Sequence, residues 1–266
     1  MLAGIEDGIH QMRVAARRLR ATLSGFAELL SENQRRWASE ELRWLADALG
    51  PARNLDVFET GLLKPAQRDL AKPLALRHLR EAARRHRRAA YHDAAEAVRS
   101  IRYAVMMQCL RRWFDSRGWR ESGRAEGLGR PIGEVAEQVL QRRWRVAKKR
   151  GKAFAAQSPH QRHRLRIGLK KLRYNAESLA SLYSPEKAES FVKGLKRLQD
   201  DLGQANDLRV GHEILAELVS PASRTEPLAE AGQRVLGWHE ERLTKNEPKL
   251  QKHLHELFAT EPFWRD

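Results

Sequence analysis

Apolar residues recur at spacings of three and four along most of the chain, and alanine, leucine, arginine and glutamate outnumber β-branched residues. This period predicts an all-α protein whose helices each bury one face; no stretch carries the strict alternation of a strand. At 100° per residue, Met12, Ala16, Leu19, Leu23 and Phe26 fill one arc of the first predicted helix. The pairs Ser158-Pro159, Ser184-Pro185 and Ser220-Pro221 predict helix starts, because serine can cap a helix whose first position is a proline that needs no N–H partner. Pro65 and Pro73 mark shorter breaks, and Pro248 is expected to interrupt the last helix. Gly118, Gly123, Gly127, Gly129 and Gly133, with Pro131, predict a linker over 115–133 between helical halves at 1–114 and 134–266.

The halves repeat. His10-Gln-Met-Arg13-Val-Ala-Ala-Arg17-Arg18-Leu-Arg20 aligns with His163-Arg-Leu-Arg166-Ile-Gly-Leu-Lys170-Lys171-Leu-Arg173 at a shift of 153 positions. The same shift places Leu42 through Leu55 on Leu195 through Leu208 without a gap. Two matches at one offset predict a duplicated helical unit. Within the second match, Gly50 and Gly203 are read as helix ends, and Asn54 and Asp207 as caps of the helices that follow. Asp56 and Asp207 are also placed to pair with arginines and fix their direction. A helix predicted from Pro131 to Phe154 has little counterpart before His10, so the first half starts short.

Charge changes the picture from a helical bundle to one with a ligand. Lysine and arginine number 50 against 34 acidic residues, a formal net charge of +16 in 266 residues, which points to an anionic partner. On the first helix, His10, Arg13, Arg17 and Arg20 share an arc of about 80° beside the apolar one. Arg77, Arg80, Arg84 and Arg87 repeat the spacing, as do Arg142, Arg145, Lys149 and Lys152. Any one stripe is what an arginine-rich helix shows to water. Several stripes gathered together would repel one another, and a chain of phosphates would relieve them. Arginine suits that work because its planar donors hold phosphate oxygens in pairs.

Other chemistry is less well supported. His10 and His163 have cations three and seven positions on, a field that repels metal ions, and neither motif holds a nucleophile. Such histidines should be neutral in the free protein and charged beside a polyanion, so binding should tighten as pH falls toward about 6. Trp37, Trp44, Trp113, Trp144 and Trp238 read as bundle core rather than as stacking platforms for bases, which disfavours nucleic acid as more than a weaker competitor. The one cysteine, Cys109, reads as a small core residue, and the absence of any disulfide pair suits a reducing compartment. With no secretory signal and no run of eighteen apolar residues, a cytoplasmic protein without membrane contact is expected.

The histidine motifs His10–Arg20 and His163–Tyr174, the Leu49-Gly50 and Leu202-Gly203 segments, Ser100-Ile-Arg102-Tyr103 and the closing Pro262-Phe263-Trp264 together resemble the CHAD family, the conserved-histidine α-helical domain. The resemblance covers essentially the whole chain. It implies two helical bundles related by a pseudo-twofold axis, with a basic central groove or pore that binds inorganic polyphosphate. It also implies no catalysis and no cofactor, and an association with polyphosphate granules. The matched basic positions are His10, Arg13, Arg17, Arg18 and Arg20 with His163, Arg166, Lys170, Lys171 and Arg173. Two features depart from the family pattern: the short opening of the first half, and Asn54 where aspartate is more usual.

Overall fold

A computed structural model describes residues 2–70, 73–121, 128–219 and 226–265, and every regular element among them is helical. In chain order these are α1 (Leu2–Gly25), α2 (Glu32–Ala48), α3 (Gly50–Val57), α4 (Pro73–Arg99), α5 (Ile101–Asp115), α6 (Ile132–Gly151), α7 (Pro159–Leu179), α8 (Pro185–Leu218) and α9 (Glu226–Ala259). A π-helical turn at Phe58–Leu63 continues α3 into a last turn at Lys64–Ala66, so the chain stays helical through Pro65 and leaves the helix only after it.

Two predicted starts are seen. Ser158 Oγ accepts from the Gln161 backbone N–H at 3.3 Å while the Gln161 side chain accepts from Ser158 N–H at 2.7 Å, closing a capping box at α7. Helix α8 begins at Pro185, directly after Ser184. Ser220-Pro221, Gly123 and Gly127 lie outside the described residues.

Five local readings are corrected. Gly203 and Asp207 lie inside the 34-residue α8, so neither ends or caps a helix, and nothing in the structure explains the glycine. Asn54 lies inside α3. Gly50 opens α3 instead of closing α2, and its reason is space: a Cβ there would stand 3.1 Å from Arg13 Nη1. Helix α9 runs unbroken through Pro248. A proline forfeits one backbone bond, and 34 residues of helix supply enough others to hold the axis.

The helices form two compact units. One takes Met1–Arg13, Leu45–Ser100 and Gly203–Glu247; the other takes Val14–Trp44, Ile101–Leu202 and Pro248–Asp266. In the first, Leu49, Phe58, Leu63, Leu79, Val235 and Leu236 are essentially without solvent contact. In the second, leucines of α7 and α8 (Leu165, Leu169, Leu172, Leu195 and Leu198) share one core with an aromatic cluster. Trp144 meets Phe258, Phe191 and Trp264 edge-on, with ring centres 5.4, 5.5 and 6.3 Å away.

The tryptophan reading holds for Trp144 alone of the five. Trp37 is exposed, and Trp44, Trp113 and Trp238 are half-buried. Two of these serve as platforms for guanidinium groups: Arg102 lies 4.4 Å over Trp44 and Arg242 lies 4.4 Å over Trp238. Cys109 is also corrected. It is exposed, because α5 buries only Met106 and Leu110.

Candidate functional site

Most of the cations picked out by spacing meet carboxylates that spacing could not reveal. On α4, Arg80 and Arg84 both donate from Nε to Glu59 Oε1 at 2.9 Å. Burial works to raise the Glu59 pKa, but the two hydrogen bonds outweigh it and hold the carboxyl below its usual range. Arg87 donates from Nε to Asp56 at 2.7 Å, meets Glu6 through Nη2, and lies 4.7 Å over the Tyr91 ring. Asp56 thus fixes an arginine, as its position suggested, and also accepts from Tyr91 Oη at 2.8 Å. Arg77 is exposed. The α4 stripe is therefore largely neutralised and forms no open positive track.

Arg13 departs further from the expected open face. It is buried, and Nη1 donates to the Ala46 carbonyl in the last turn of α2, where helix carbonyls lack partners within the helix. His10, on the same helix, is half-buried.

The second unit holds the remaining candidates. Arg18 and Arg173 both reach Glu177, at 2.9 and 3.2 Å, and both lie against the Tyr174 ring. Arg142 meets the Glu28 carboxylate and donates to the Gly25 carbonyl at 2.6 Å, closing the end of α1. Arg145, Lys149 and Lys152 face solvent. Arg17, Arg20, His163, Arg166, Lys170 and Lys171 are half-buried.

Around Lys171 the balance of charge is different. The helices approach closely there because α1 ends in small residues: a Cβ on Gly25 would stand 2.2 Å from Asn175 Oδ1 on α7. Asn175 is buried and donates to the carbonyls of Lys171 at 2.8 Å and Ala21 at 3.3 Å, tying α7 to α1. From α6, Arg143 donates to Ser24 Oγ at 2.8 Å and Arg150 to the Arg164 carbonyl at 3.0 Å. Both guanidinium groups are thus anchored on neutral oxygens rather than on carboxylates.

Burial pushes the Lys171 pKa down, and the charges of Arg143, Arg150 and Arg20 push it further. Burial likewise lowers Arg143, helped by Arg142 and Arg150. Arg143 Nε and Arg173 Nε are shielded from solvent and have no acceptor among the described residues. Four cations from three helices thus concentrate positive potential on partly desolvated donors, an arrangement suited to phosphate or another multivalent oxyanion.

Sequence spacing identified Arg20 and the family resemblance Lys171, but both missed Arg143 and Arg150. A signal was available. These two, seven residues apart, lie within about 20° of each other at the edge of the buried arc that Leu140, Trp144, Ala147 and Gly151 form. The regular stripe Arg142, Arg145, Lys149 and Lys152 points away from that arc. An arginine beside the apolar face is the one that folding half-buries.

The low Lys171 pKa makes a stability prediction. The folded state binds this proton less readily than the unfolded chain, so stability should rise with pH toward the ordinary lysine value of about 10.4. Below the lowered folded-state value the penalty is present in full. Lys171→Met should therefore raise the urea midpoint at pH 7, with the difference closing as pH approaches about 10. A variant less stable at pH 7 would show that the ammonium is compensated.

Among the described residues no helix is long and apolar enough to cross a membrane. Nor is any group of three His, Cys, Asp or Glu side chains there arranged to hold a metal ion.

The chain is 29% identical over 222 residues to the uncharacterized protein Rv2226 of Mycobacterium tuberculosis, a match taking in 79% of this chain and 40% of that protein. It therefore spans well under half the length of that curated relative. It superposes on the crystal structure of the CHAD domain from the plant Ricinus communis with a TM-score of 0.79 and 28% identity, covering 96% of this chain and 83% of that one. PptA from Streptomyces chartreusis shares the fold, with a TM-score of 0.61 at 16% identity over 94% of this chain and 90% of PptA. The CHAD domain family itself matches residues 1–216, a span that contains both histidine motifs and the four cations Arg20, Arg143, Arg150 and Lys171. On that match and on its fold, the chain belongs to the CHAD domain family.

Proposed function

We propose that this chain binds inorganic polyphosphate without cutting it, and that Arg20, Arg143, Arg150 and Lys171 take up phosphate oxygens. The observation that carries this reading is that half-buried Arg143 and Arg150 are fixed on the Ser24 hydroxyl and the Arg164 carbonyl rather than on carboxylates, and their charges, with burial, lower the Lys171 pKa. Keeping such a cluster partly desolvated opposes folding, and a bound polyanion offsets that cost. Membership of the CHAD family and the net charge of +16 support the same ligand. Half-buried His163 and Arg166, on the same helix as Lys171, are the next contacts along the polymer. Attachment to cytoplasmic polyphosphate granules follows from the same chemistry.

The test is titration with polyphosphate of defined lengths at several salt concentrations. Affinity should grow with chain length, and its logarithm should fall linearly with the logarithm of salt, as counterion release demands. Polyphosphate should outcompete single-stranded and duplex DNA at equal phosphate concentration. Displacement by DNA would make the protein a general polyanion or nucleic-acid binder, and orthophosphate released with magnesium or manganese present would make it a hydrolase.

A further inference from the structure

The unit built from Met1–Arg13, Leu45–Ser100 and Gly203–Glu247 contains a cavity of about 220 Å³. Sites for drug-sized molecules run to roughly 300–1,000 Å³, so this one suits a small ligand and not a polymer. The end of α3 and the π-helical turn after it form one wall, where Val57 and Leu62 are apolar and Gly61 has no side chain to fill the space. Such turns are rare and recur at functional sites. Helix α9 adds Leu243 and the pair Trp238 and Arg242, with the guanidinium stacked 4.4 Å over the ring. His239 Nε2 lies 3.0 Å from the Leu62 carbonyl and ties α9 to the π-helical turn. Helix α8 supplies the half-buried Asp207.

The charges in this cavity are unmatched. Asp207 meets the Asn206 side-chain amide at 3.4 Å, but among the described residues it has no cationic partner, although its position suggested an arginine. Arg242 has no carboxylate partner among them either, and stacking on Trp238 leaves its in-plane N–H donors available. Elsewhere Arg18, Arg80, Arg84, Arg87 and Arg173 all find carboxylates. Here a carboxylate and a guanidinium line one cavity without pairing. Burial, together with the Arg242 charge, lowers the His239 pKa, so the imidazole adds no third charge at neutral pH.

We infer that this cavity binds a small zwitterion with an apolar body, the chemistry of an apolar α-amino acid. Arg242 takes the carboxylate through paired N–H donors, and Asp207 takes the ammonium. The ligand's side chain lies against Val57, Leu62 and Leu243. A simple anion would leave Asp207 opposing it, and a simple cation would meet the same opposition from Arg242. A molecule carrying both charges satisfies both groups at once. Arg143 and Arg150 belong to the other unit, so a failure to bind polyphosphate would not bear on this site.

The experiment is calorimetric titration of the whole chain with valine, leucine, isoleucine, methionine and phenylalanine. At least one should bind saturably with a Kd below about 1 mM. For the tightest of them, the decarboxylated amine and the deaminated acid should each bind at least about tenfold more weakly, because each forfeits one charge-assisted contact. Arg242→Gln and Asp207→Asn should each cost at least about tenfold while helical circular dichroism stays unchanged. Lys245→Gln, which removes an exposed α9 charge that does not line the cavity, should cost less than about twofold. No saturable binding by any of the five at about 10 mM would overturn the inference. So would an amine or acid that binds as tightly as its parent amino acid, a result that needs no variant to fold, and so would unchanged affinity in both cavity variants.

Discussion

Replacing Arg143 and Arg150 together by glutamine should lower the affinity for long polyphosphate at least about 100-fold at low salt. Each anchored guanidinium offers a charge-assisted hydrogen bond worth about 1.5–3 kcal/mol, so losing two costs roughly 3–6 kcal/mol of binding. Folding stability should change by no more than about 1 kcal/mol, because the lost bonds to Ser24 and the Arg164 carbonyl are offset by relief of repulsion around Lys171. Calorimetric titration and urea unfolding read the two quantities separately. The comparison variant is Arg145→Gln with Lys149→Gln, which removes the same charge from exposed positions and should cost less than about tenfold. Equal losses in the two variants would mean that net charge, and not the half-buried cluster, captures the polymer.

The second large effect is on stability. Trp264→Ala should cost about 3–5 kcal/mol, the range for emptying a large aromatic site in a core. Trp264 is 2% exposed, with ring centres 4.9 Å from Phe263 and 5.1 Å from Phe191, and its Nε1 donates to Gln141 at 3.2 Å. Trp264→Phe should recover most of the loss, leaving about 1–2 kcal/mol for the hydrogen bond and the smaller ring. A midpoint shift in urea worth less than about 1 kcal/mol for the alanine variant would show that α6, α8 and α9 hold together without this residue.

Periodicity sufficed for the helical class and for several helix starts, because both are set by local chemistry. The capping box at Ser158 is written within four residues, and so is legible. What a charged face meets is not local. Arg80 and Arg84 have the spacing of an open stripe, but Glu59, 21 and 25 positions away, closes it. Arg13 shares an arc with Arg17 and Arg20, yet α2 ends beside it and takes its guanidinium. Gly50 looked like a turn residue because glycine most often ends helices. Its task is to leave room for a side chain 37 positions earlier, which only the packed structure displays. Cys109 lies in an apolar run whose helix contributes little to the core, so composition alone misplaced it.

Each compact unit is assembled from three separated stretches of chain, and the last stretch of each includes part of α9. Neither can finish folding while the ribosome still holds that final helix. Earlier helices must wait in a partly assembled state, with leucine faces uncovered and the cations of α1, α6 and α7 already synthesised. A nascent chain truncated before Glu226 should therefore bind hydrophobic dyes and holding chaperones, and no contiguous fragment should reproduce either unit alone.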